Sequence, residues 1–175
     1  MQGLSGEEAI FIQTYDVAHE DLVCATIRSL AARLRNSGIN VGEVDLFSLV
    51  LEEMKDGGVL EDFLREETSY HPADRVETLK NYADSKQRIA PRLLKMMAES
   101  GARVTFLSGA GHVYPFFRAH TLLDCTQQAE FKHPVVLFFP GDYIQIPGKG
   151  SQLQLFKTTP SDGYYRARNL DHYRL

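Results

Sequence analysis

Apolar residues fall along this chain in two alternating rhythms: short, nearly unbroken runs, and longer stretches with apolar positions three and four apart. Residues 9–15, Ala-Ile-Phe-Ile-Gln-Thr-Tyr, are β-branched, aromatic and almost wholly apolar, the pattern of a central strand covered on both faces. Asp16 ends the run. From about residue 19 to 36 the spacing of Val23, Ile27, Leu30 and Leu34 predicts a helix with one buried side, and Gly38 is placed for a left-handed C-terminal cap. Residues 39–46 predict a second strand, interrupted by Asn40 and Gly42, with Asp45 near its end. Strand, helix and strand in this order imply parallel pairing through a right-handed crossover. Residues 47–54 continue helically, Lys55-Asp56-Gly57-Gly58 breaks the chain, and 60–67 resumes it.

The stretch 61–100 is rich in charge, with apolar positions at Val76, Leu79 and Tyr82, and predicts helices on the outside of the fold. Pro72 and Pro91 punctuate it. Pro91 suits the first position of a helix over 92–100, and Gly101 closes that helix. Residues 103–108 predict a third strand, followed by the turn Gly109-Ala110-Gly111 and a helix over 113–128 with Pro115 in its first turn. Pro-Val-Val-Leu-Phe-Phe at 134–139 is the most hydrophobic run and predicts a buried fourth strand. Pro140-Gly141-Asp142-Tyr143 then predicts a turn, 152–156 alternates like a half-exposed strand, and 163–170 follows as its partner. These last segments suggest a hairpin at the sheet's edge, preceded by a mobile loop over 141–151. The expected fold is α/β: three layers around a mainly parallel sheet of P-loop or Rossmann-like topology, with an antiparallel C-terminal extension.

Composition narrows the function classes. A length of 175 residues suits one domain over 1–175, large enough to bury about 70% of its unfolded surface. The formal charge of −4 offers no basic field, so strong direct binding to nucleic acid or anionic lipid is not expected. Cys24 and Cys125 lack any CxxC or Cys/His spacing and suit reduced, buried thiols. Neither an apolar run long enough for a membrane span nor a signal peptide is visible, so a cytoplasmic location is expected.

The turn at 109–111 holds the most tempting chemistry. Ser108, Gly109, Gly111 and His112 could form a backbone nest for an anion at a helix start. Tyr114 stands where a dinucleotide fingerprint wants its third glycine. GxxxxGK with a following Ser or Thr is absent, so a P-loop site would lack its phosphate lysine. Phe106 replaces the first glycine of a nucleophile elbow around Ser108. Six histidines are scattered without metal-ligand spacing. Asp16, Asp45 and Asp142 could meet at the carboxyl edge of the sheet, where they would either hold magnesium or merely cap helices and turns. Arg118 and His120 add a polar cluster beyond the turn. Tyr164, Tyr165, Arg166 and Arg168 have the aromatic and basic character of a protein interface. No cofactor and no catalytic residue is predicted.

Several blocks taken together are more specific. Tyr15-Asp16, the run Phe-Leu-Ser-Gly-Ala-Gly at 106–111 with Tyr-Pro-Phe-Phe-Arg-Ala-His-Thr-Leu-Leu at 114–123, Pro-Val-Val-Leu-Phe-Phe-Pro-Gly-Asp-Tyr at 134–143, residues 153–156 and Tyr-Tyr-Arg-Ala at 164–167 follow in order. This series resembles the BrxB family of bacteriophage exclusion (BREX) defence systems. The resemblance implies a non-catalytic adaptor or scaffold within a multiprotein complex. The implied partners are the PglZ subunit, a large ATPase and a methyltransferase, and self-association is compatible with it. Family members carry a further N-terminal helical segment ahead of the first strand, which this chain would lack, and the loop over 144–151 is longer than usual. The competing reading is a degenerate nucleotide-binding or metal-dependent enzyme or sensor that uses the carboxyl edge of the sheet.

Overall fold

A computed structural model describes residues 10–66, 68–69, 71–118, 121–123, 133–146, 150–160 and 167–173. The parallel strands are β1 (Ile10–Tyr15), β2 (Val41–Asp45), β3 (Val104–Ser108), the first half of β4 (Val135–Ile146) and β7 (Arg168–Asn169), in the order β2-β3-β4-β1-β7. Strands β5 (Gly150–Leu155) and β6 (Thr159–Pro160) add on antiparallel, β5 to the second half of β4 and β6 to β5. The α/β architecture with a mainly parallel sheet is therefore as its sequence pattern suggests.

Each run of apolar residues is split between two cores by the two-residue period of a strand. Phe11, Val41, Phe106, Val136 and Phe138 face α1 (Glu20–Asn36), which buries Ile27 and Ala31 against them. Ile10, Ile12, Val44, Leu107, Leu137 and Phe139 face the opposite way. They pack on Leu46, Leu49, Val50 and Met54 of α2 (Leu46–Asp56) and on Leu93 and Met97 of α5 (Ala90–Glu99). Between these helices lie α3 (Leu60–Glu66), α4 (Pro72–Tyr82) and a π-helical turn, Ser85–Ile89. The charged stretch thus does more than coat the surface, because α5 and Ile89 supply part of the larger core.

Local signals set the helix ends. Glu20 and Asp21 in the first turn of α1 and Arg33 and Arg35 in its last complement the helix dipole, and Gly38 takes φ 82° beyond the cap. Arg35 also donates from Nη2 to the Val41 carbonyl at 2.6 Å and pairs with Glu43 at 2.7 Å, covering the outer edge of β2 with a charge.

Several expectations need correction. Helical backbone does not start at Val113: 110–116 form turns, and helical conformation returns over 121–123. Tyr114 precedes a proline, which disfavours the α region there. The predicted turn at 140–143 is strand, because β4 runs straight through it. Gly141, at φ 155°, brings its backbone so close to the Gln154 carbonyl that a side chain would collide with it. The antiparallel hairpin consequently extends the central strand β4 rather than the sheet's edge, and Ser151 belongs to β5, not to a loop. The edge is held by β7, shorter than predicted and parallel to β1. Cys125, His120, Tyr164, Tyr165 and Arg166 lie outside the described residues.

Candidate functional site

After β1 the chain crosses to the far edge at β2, returns through β3 and β4, and passes β1 to reach β7. The carboxyl end of β1, which β4 passes on its way to Ile146, is therefore the point where the direction of travel reverses, the usual ligand position in open α/β sheets. Asp16 follows β1 there. Its Oδ1 accepts from the Ala18 N–H at 3.0 Å, capping a 3₁₀ turn (Val17–His19) that leads into α1. Its Oδ2 accepts from Lys157 Nζ at 2.7 Å. The hydrogen bond from Lys157 chiefly holds the Asp16 carboxyl below the usual range, and the same bond, with Asp142 adding a smaller attraction, raises the lysine.

Next to this pair, the Tyr15 hydroxyl donates to Glu20 Oε2 at 2.7 Å. Burial first, and the Glu20 carboxylate second, push the Tyr15 phenol far above its ordinary value. Glu20 Oε1 accepts from the Cys24 thiol at 3.7 Å and lies 4.0 Å from His112 Nε2. Cys24 is thus half-buried rather than enclosed, and burial leads the effects that raise its thiol.

The turn after β3 closes the other side. Gly109 takes φ 77° and lies against the Asp45 carboxylate and the Leu46 N–H. Asp45, paired in register with Ser108, accepts from Ser48 N–H at 2.7 Å and so caps α2. Gly111 packs so tightly that a Cβ would come within 3.0 Å of Pro140 and 3.1 Å of the Phe156 ring. Both glycines are needed by the fold: one supplies the left-handed turn, the other lets the β5–β6 tip approach.

The structure thus brings together part of what the sequence singled out. Asp16 bonds Lys157, which Asp142 attracts more weakly, and His112 lies 4.0 Å from Glu20. Asp45 works as a helix cap, and exposed Arg118 gives its carbonyl to Thr121 N–H at 3.0 Å. Arg168 sits on β7 and donates to the Tyr173 hydroxyl at 3.0 Å. Among the described residues, no group of three or more His, Cys, Asp or Glu is set to hold a metal ion, and no helix is long and apolar enough to cross a membrane. Sequence reasoning missed Lys157 and Glu20. A lysine in a hairpin turn carries no local mark of the aspartate it meets, which lies 141 positions earlier in the chain.

Chemically, this edge suits a phosphate poorly. Asp16, Glu20 and Asp21 place carboxylates where the N-terminus of α1 would otherwise attract an anion. The lysine at hand is already engaged by one of them.

No solved structure matches this chain. It is 30% identical to a BREX protein BrxB of Bacillus cereus (strain H3081.97) over 173 residues, 97% of this chain and 86% of that one. A BREX protein BrxB of Escherichia coli O9:H4 (strain HS) is 25% identical over 130 residues, 73% of this chain and 60% of the relative. Residues 42–170 match the family described as BREX protein BrxB. With its Gly-Ala-Gly turn, the proline-containing β4 and the β5 hairpin all inside the matched region, the chain belongs to the BrxB family of BREX phage-defence proteins.

Proposed function

We propose that this BrxB protein is a non-catalytic adaptor that holds the PglZ subunit within a BREX complex. The observation that carries this reading is the self-paired edge at the carboxyl end of β1. Where a nucleotide-binding relative would present bare backbone N–H groups, Asp16 meets Lys157 and Tyr15 meets Glu20. Catalysis needs a group able to touch substrate and change charge or bonding in step with it, and these side chains are committed to one another. Binding by an exposed polar edge asks for no such freedom. Arg168 and Tyr173, joined by a hydrogen bond at the β7 edge, add the residue types favoured in protein interfaces. Other BREX subunits would then be reached through PglZ.

The test is co-expression of this chain with PglZ, followed by size-exclusion chromatography at physiological ionic strength, with Mg-ATP added to the isolated chain in a parallel thermal melt. A complex that survives the column, with no melting shift from the nucleotide, is expected. Failure to associate would remove the adaptor role. A shift of several degrees that disappears in Gly111→Val would favour a nucleotide sensor instead.

A further inference from the structure

The tip of the β5–β6 hairpin holds two consecutive residues other than glycine in the left-handed region, Phe156 at φ 53° and Lys157 at φ 60°. Side chains with a Cβ resist that conformation, and hairpin turns of this hand are normally built from Asn and Gly. Contacts to the middle of β4, to the turn after β3 and to the end of β1 hold the tip there. The Phe156 N–H donates to the Pro140 carbonyl at the β1–β4 junction, at 2.9 Å. Its ring stands edge-on to Tyr114, 6.4 Å between centroids, and rests on Gly111 beyond β3. Lys157 reaches Asp16 at the end of β1. The ion pair is exposed, with side-chain accessibilities of 50% and 43%, so salt screens it and it holds weakly.

We propose that this tip is a strap with two positions, closed over Asp16 and open, and that opening relaxes the left-handed backbone while uncovering the carboxyl end of β1. Without Lys157 the end of β1 is left with Asp16, an exposed carboxylate suited to a cationic side chain of a partner. Only that use of the open state rests on the adaptor reading. Opening itself is a property of the isolated chain.

The experiment is amide hydrogen exchange by NMR on the intact, unliganded protein. In the wild type, the Phe156 amide should exchange at least tenfold faster than the β4 amides of Val136 and Phe138. Lys157→Met and Asp16→Asn should speed Phe156 a further several-fold and leave the β4 amides unchanged. Lys157→Gly, which loses the ion pair but accepts the backbone, should exchange more slowly than Lys157→Met. A wild-type Phe156 amide protected as strongly as β4, or one indifferent to loss of the ion pair, overturns the strap. Faster exchange in Lys157→Gly than in Lys157→Met shows that strain is not what opens it. None of these readouts depends on PglZ, so failure of the strap and failure of the adaptor role are separable.

Discussion

Arg92 Nη1 of α5 lies 2.9 Å from Glu53 Oε1 of α2, with the two side chains only 24% and 15% exposed. The same guanidinium reaches Asp56 at 2.6 Å and Glu52 at 3.1 Å. Arg88, stacked 4.9 Å over the Tyr82 ring, approaches Glu53 from the π-helical turn at 3.6 Å. Three carboxylates on one helix face are thus drawn to one cation on another, and they hold that cation strongly protonated.

Removing Arg92 should therefore cost more than an ordinary surface ion pair. Arg92→Met is expected to lower the unfolding free energy by about 1–3 kcal/mol, because Glu53 keeps its partial burial and loses its main partner. Arg92→Lys should recover only part, since an ammonium cannot span three acceptors as a planar fork does. Urea titration of the three proteins checks this. A loss under about 0.5 kcal/mol for Arg92→Met would mean that the cluster organises the helices without stabilising them.

Gly38 and Gly109, two of the glycines held at left-handed φ, separate backbone cost from crowding. Gly38→Ala meets nothing within 4 Å, so it should lose about 1 kcal/mol, the left-handed penalty alone. Gly109→Ala adds a methyl against the Asp45 carboxylate and the Leu46 N–H. It disturbs the cap of α2 as well, and should lose at least about 2 kcal/mol. Equal losses in denaturant titrations would show that Asp45 gives way freely.

Acidification should act through His133, whose Nε2 shares a hydrogen bond of 2.8 Å with the buried Thr105 hydroxyl. Burial holds this imidazole below its ordinary value. The folded state therefore favours the neutral ring. That contribution is full above the unfolded pKa of about 6.5 and is lost as pH falls from there through the folded value. NMR titration of the ring protons should give a midpoint below about 6.5, and His133→Gln should flatten the fall in melting temperature between neutral and mildly acid pH. A midpoint at or above the ordinary value contradicts it.

The sheet was legible in the sequence because its strands are continuous apolar runs, and Ile10, Ile12, Leu107 and Leu137 occupy the positions that pattern demands. The ends were legible where one residue sets them, as at Asp16, Gly38 and Gly101. What escaped was set by contacts between distant residues. Nothing in Pro140-Gly141 says that β4 should continue, because the reason is the Gln154 carbonyl of another strand. The site divided in the same way: Asp16 and His112 were visible as polar residues near strand ends. Their partners Lys157 and Glu20 were not, since a side-chain contact between distant segments leaves no periodic trace.

The strand order also fixes a timetable. β1 is synthesised before both of its neighbours, β4 and β7, with Ile10 opposite Val135 and Phe11 opposite Arg168. At about 5–20 residues per second, the apolar β1 waits on the order of ten seconds for its first neighbour. Until then Ile12, fully enclosed in the finished molecule, belongs to a nascent chain in which neither neighbouring strand has been made. This strand is where a chaperone would be needed, and a chain ended before residue 135 would leave it without either neighbour.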